Sequence, residues 1–113
     1  MKIVKDKISI TELKKIAQEM FGDIVKAVVD VEKEIMAVGG ELHSDEETLL
    51  IQNGSKQQNL WGINIYPEIR GKKWIEFDSM INMRPSQGNR TRSIDNPEIR
   101  KKITEIVNNL IKK

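Results

Sequence analysis

Ile10, Leu13, Ile16, Ala17 and Met20 recur at the spacing of one helical face, and the pattern predicts a helix opening at Ser9. Ser9 and Glu12 form a capping box, Ile8 and Leu13 are placed for a hydrophobic staple, and Gly22 suits the C-terminal cap. Lys2 to Lys7 reads as a strand before it. From 24 to 31 the period falls to two, with Val25, Ala27, Val29 and Val31 on one face and Lys26, Val28 and Asp30 on the other. Glu32-Lys33-Glu34 turns the chain into a strand from Ile35 to about His43, where Gly39-Gly40 suggests a bulge or a close backbone approach. Ser44 and Glu47 form a second capping box, for a helix through Leu49, Leu50 and Ile51 that stops at Asn53-Gly54.

Leu60 to Tyr66 is the next strand, Pro67 to Gly71 a turn, and Lys73 to Met83 the longest strand. Its alternation separates Ile75, Phe77, Ser79 and Ile81 from Trp74, Glu76, Asp78, Met80 and Asn82. Asn96-Pro97 supplies an N-cap and a proline at the first position of a last helix, whose apolar stripe is Ile99, Ile103, Ile106, Val107 and Leu110. The order β-α-β-β-α-β-β-α, with two hairpins, predicts a single α+β domain spanning 1–113. Its expected form is a mainly antiparallel sheet of about five strands with helices packed on one face. The other face is then open unless a partner or second copy covers it.

Composition narrows the chemistry. The 113 residues include no cysteine, which excludes disulfides and thiolate chemistry and fits a reducing cytoplasm. No stretch approaches a signal peptide or a membrane span. The net charge of +2 is unevenly spread. Residues 1–60 carry 8 Lys/Arg against 11 Asp/Glu, and residues 61–113 carry 11 against 6.

Five arginines stand beside fourteen lysines, and three of the five, Arg84, Arg90 and Arg92, fall within nine positions. Such a bias suits a planar, bidentate fork for an oxyanion. Pro85, Gly88 and Asn89 favour a turn that points backbone N–H groups inward, and Ser86 and Gln87 add neutral hydrogen bonds. Arg84, Ser86, Gln87, Asn89, Arg90 and Arg92 are therefore the candidate ligand-binding set, for a phosphate- or carboxylate-bearing small molecule. The loop contains no Walker-type or GxGxxG pattern.

Glu41-Leu42-His43-Ser44-Asp45 holds the only histidine. On a strand, Glu41 and His43 share a face. If the site is catalytic, His43 is the acid/base, Glu41 or Asp78 the orienter or second carboxylate, and the arginines stabilise charge. One histidine among carboxylates is a thin ligand set, so neither metal nor cofactor is expected.

From Trp61-Gly-Ile-Asn-Ile-Tyr-Pro67 through Trp74-Ile-Glu-Phe-Asp-Ser-Met-Ile-Asn82 to Arg84-Pro-Ser-Gln-Gly-Asn-Arg90, the chain resembles a family of small prokaryotic proteins described only as a domain of unknown function. Val29-Asp-Val-Glu-Lys33 and Glu41-Leu-His43 fit the same likeness. The resemblance implies a shared fold and a similar loop, and transfers no catalytic residue.

Two other readings stand beside the anion clamp. In one, the basic C-terminal half binds nucleic acid, as in a regulatory or toxin–antitoxin-like pair, with Arg70, Arg84, Arg90, Arg92 and Arg100 on one positive surface. In the other, the loop is the interface of a structural homo-oligomer.

Overall fold

A computed structural model describes residues 1–113. The elements are β1 (Lys2–Val4), β2 (Ile8–Ser9), α1 (Ile10–Glu19), β3 (Val25–Asp30), β4 (Ile35–Val38), α2 (His43–Gln52), β5 (Leu60–Ile65), β6 (Ile75–Glu76), α3 (Pro97–Leu110) and β7 (Ile111–Lys112). Five strands form one antiparallel sheet, as expected, in the order β1-β4-β3-β5-β6. A parallel two-stranded sheet pairs β2 with β7. No helix is long and apolar enough to cross a membrane.

The N-cap side chains act as read for α1 and α3, although the Glu12 carboxylate meets Lys2 instead of closing the capping box on Ser9. The Ser9 hydroxyl accepts the Glu12 N–H at 3.0 Å, and the Asn96 side-chain Oδ1 accepts that of Glu98 at 2.8 Å. Leu13 and Ala17 of α1 and Ile103, Ile106, Val107 and Leu110 of α3 pack on one sheet face. There they meet Val25, Ala27, Val29, Met36, Val38, Ile63 and Ile65 in a core of twenty buried residues.

The helices do not all lie on that face. Leu50 of α2 packs against Val28, Ala37 and Leu60, which alternation places on the opposite side of the sheet. The second face, expected to be open, is covered by α2 and by Ile81. β3, β4 and β5 each supply one buried apolar residue to this smaller cluster, Val28, Ala37 and Leu60.

Three strands are shorter than the pattern suggests, and β1 ends at Val4 rather than Lys7. β4 ends at Val38 rather than near His43: Gly39 takes φ 85°, and the Gly40 N–H donates to the Glu46 carboxyl at 3.0 Å instead of to a neighbouring strand. The long strand from Lys73 to Met83 is only Ile75–Glu76. Beyond it, Ser79 caps a 3-10 turn over Met80–Asn82, its hydroxyl accepting the Ile81 N–H at 3.3 Å. Phe77 stays with the α1/α3 core while Ile81 joins the α2 side, so the face that alternation assigns to Ile75, Phe77, Ser79 and Ile81 is split between the two sides of the sheet once the chain leaves the extended conformation.

Gly62 permits the turn. A Cβ there would sit 2.5 Å from Ser79 Cβ and 3.2 Å from Ile81 Cγ1. Gly62→Ala is expected to cost about 2 kcal/mol, as overpacking in a filled interior does. A urea midpoint unchanged from the native protein would show that the turn does not depend on this contact.

Candidate functional site

The arginine loop is wired into the protein by its own polar side chains. The Arg84 side chain is 10% exposed; Nε donates to Ile81 O at 3.0 Å, Nη1 to Gln57 O at 3.0 Å, and Nη2 to Leu60 O. It lies 4.6 Å from the Trp61 ring centre and 3.9 Å from Glu47. Burial lowers its pKa, and the Glu47 charge opposes that shift. Asn89 is equally committed: its Nδ2 donates to the carbonyls of Asn82 (2.7 Å), Thr91 (3.1 Å) and Ser93 (2.7 Å), and its Oδ1 accepts the Asp95 N–H at 2.8 Å.

Pro85–Gln87 forms a 3-10 turn and Gly88 takes φ 81°, so the predicted turn chemistry is present. Gln87 donates to Gln58 O at 3.1 Å. Arg92 pairs with Asp78 at 2.7 Å. Ser86 and Arg90 are exposed, and Arg90 makes no ion pair. Of the three loop arginines, two are thus engaged with different internal partners.

His43 lies in the first turn of α2, not on a strand, and Leu42 rather than Ser44 occupies the N-cap. Glu41 is exposed and shares no strand face with it. With His43, Glu46, Glu47 and Leu50 fall at the i, i+3, i+4, i+7 spacing of the helix face turned to the sheet. His43 Nε2 donates to the Ile63 carbonyl at 2.8 Å, which leaves Nδ1 as the acceptor nitrogen of a neutral ring. Burial lowers the imidazole pKa. The Ile63 bond, Asp78 and Asn64 raise it, and the Lys26 cation adds to the lowering.

His43 and Asp78 therefore share one electrostatic neighbourhood, and Asp78 links it to Arg92. Asn64 beneath them donates to Glu76 Oε1 at 2.8 Å, which also accepts from the Tyr66 hydroxyl at 3.2 Å. The three buried oxygens without a partner, Glu46 Oε1, Glu47 Oε2 and Asn64 Oδ1, all belong to the layer between α2 and the sheet. No three His, Cys, Asp or Glu side chains are grouped to hold a metal ion.

A different surface gathers the unneutralised charge. Between residues 71–77 and α3 runs a groove of about 750 Å³ whose lining includes Lys72, Lys73, Phe77, Arg100, Lys101 and Lys113. A second groove of about 480 Å³, toward Ile10, Lys14 and Arg70, shares Gly71, Trp74 and Lys113 with it. The six cations Arg70, Lys72, Lys73, Arg100, Lys101 and Lys113 make no ion pair with any carboxylate. The acids beside them are Glu105 and Glu68, and Glu68 already pairs with Lys14 at 3.7 Å.

Aromatic rings lie under two of the cations. Lys113 Nζ is 4.3 Å from the Trp74 ring centre, and the Arg100 guanidinium 4.7 Å from that of Phe77. Of the arginines expected to share one positive surface, Arg70 and Arg100 line the joined grooves, while Arg84 faces the protein interior. Lysines 72, 73, 101 and 113 escape sequence reading because they are scattered over three segments. Only the positive excess of residues 61–113 points to them.

No curated protein and no solved structure matches the chain. A family model does, over residues 2–110, in keeping with the likeness seen in the Trp61–Arg90 segments. The chain belongs to that family, described as a protein of unknown function, DUF5674.

Proposed function

We propose that the protein binds nucleic acid through the phosphate backbone, in the joined grooves flanking Trp74. The observation that carries this reading is the row of six cations without carboxylate partners. Surface lysines are ordinarily interspersed with acids, and like charges held along one concavity repel each other until an anion neutralises them. A groove walled by low-dielectric protein also focuses the field along its length. A row of cations fits a chain of phosphates better than a single phosphate.

The arginine loop supports this reading less directly. Arg84 and Asn89 stiffen the loop from inside, and Asp78 neutralises Arg92, which leaves Arg90 as its free cation. The loop also delivers Ser93 and Ile94, which hold Arg100 in place.

Charge reversal tests the proposal. Binding of a labelled oligonucleotide is expected to fall about 10³-fold between 50 and 200 mM salt, as it does for about six phosphate contacts. The triple variant Lys72→Glu/Lys73→Glu/Lys101→Glu is expected to lose at least a hundredfold at low salt and to flatten that dependence. Lys56→Glu, outside the grooves, serves as the control. Equal affinities for the triple variant and the control would rule the grooves out.

A further inference from the structure

We infer that the groove takes a single strand, with one base stacked on the outer face of the Arg100 guanidinium. This rests on the groove being a nucleic-acid site, and concerns which form of nucleic acid it selects. Among the six cations, Arg100 alone is held as a fixed plane. Its Nε donates to Ile94 O and its Nη2 to Ser93 Oγ at 2.6 Å. One face of the guanidinium lies over Phe77, and the side chain remains solvent-exposed. Ile94 is fully buried, so the anchoring carbonyl belongs to the core.

A guanidinium plane is a stacking surface for an unpaired base, as an aromatic ring is. Here the plane is set before any ligand arrives. Ordering a free arginine side chain costs rotamer entropy, and folding has already met that cost here. Nη1 makes no hydrogen bond within the protein and is available to a phosphate or a base edge.

The shape selects in the same direction. Duplexes are read by elements that protrude into their grooves. The cations here line a concavity, with Lys72 and Lys73 from the segment before β6 and Arg100 and Lys101 from α3. A concave, charged trough with a stacking plane suits an unpaired chain whose bases are free to turn inward.

Fluorescence anisotropy with three labelled probes of equal length tests this: a thymidine oligomer, an abasic oligomer with the same phosphates, and a duplex. The native protein is expected to bind the thymidine oligomer about tenfold more tightly than the abasic one, the magnitude of one stacked base. Arg100→Lys keeps the charge and removes the plane, and should erase that preference, with the larger loss on the thymidine oligomer. Ser93→Ala, a mild change that frees Nη2, should reduce the preference about threefold and guards against a folding defect in the first variant.

Equal losses on both single-stranded probes, or no loss on either, would overturn the stacking role. So would native binding to the duplex as tight as to the thymidine oligomer. If all three probes bind alike, the groove remains a phosphate site and only the inference fails. If none binds, the groove reading fails with it.

Discussion

Asn82→Ala is expected to destabilise the protein by about 4 kcal/mol, from the desolvation cost of three backbone groups left unpaired. Asn82 is fully buried. Its Oδ1 accepts the Gly62 N–H at 2.8 Å, and its Nδ2 donates to Gly62 O at 2.9 Å and to Arg92 O at 3.0 Å. β6 has ended by then, so the Asn82 amide takes the place of a neighbouring strand beside β5. Ser79 packs so closely on Gly62 that solvent has little room to replace it. Each orphaned group costs about 1–3 kcal/mol, against a total stability of about 5–15 kcal/mol for a domain. Asn82→Asp separates bonding from volume: it retains an acceptor for Gly62 N–H but sets a second carboxylate oxygen against two carbonyls. It should be at least as damaging as alanine. A urea midpoint for Asn82→Asp close to the native one would show that the amide hydrogens contribute little.

Glu46→Gln is expected to stabilise the protein by about 3 kcal/mol at pH 7, and to do nothing at pH 4. Glu46 is fully buried under α2. Burial pushes its carboxyl up from 4.5 to about 9, against the opposing pull of the Gly40 N–H, Lys26 and the amino group of Met1. The folded protein keeps this proton at neutral pH, whereas the unfolded chain releases it above about 4.5. Stability from this group is therefore complete below pH 4.5 and declines by about 1.4 kcal/mol per pH unit until the folded group itself ionises near 9. Glutamine has the same shape and no proton to lose. Urea denaturation of both proteins at pH 4, 7 and 8.5 should give curves that coincide in acid and diverge as pH rises. Parallel pH profiles would mean that Glu46 is ionised in the fold.

What was legible in the sequence is what local chemistry decides. Ser9 and Asn96-Pro97 mark helix starts because a cap bonds two or three residues away. The alternation of β3 and the runs of β4 and β5 mark an antiparallel sheet because neighbouring residues decide it. The end of β6 was hidden because Gly62 and Asn82, twenty residues apart, determine it together. Covering of the second face depends on Leu50 reaching Val28 and Ala37, which no single stretch reveals.

The same division runs through the site. The arginine bias at 84–92 is real, but the partners of Arg84 are backbone carbonyls of Gln57, Leu60 and Ile81, and carbonyls have no signature in sequence. The His43 cluster was misplaced by one element, since Gly39 ends β4 early and moves His43 onto a helix.

The small β2–β7 pair has a consequence for how the grooves come into being. Ile8 and Ile111 are about a hundred residues apart, so their pairing closes the largest loop in the chain and yields only a short ladder in return. Its loop-closure cost is offset by burial, since Ile8 and Ile111 both belong to the twenty-residue core. β7 leads directly to Lys113, the cation common to both grooves, over Trp74. The ladder that ties β2 to β7 thus fixes, through the core, the cation at the junction of the charged trough.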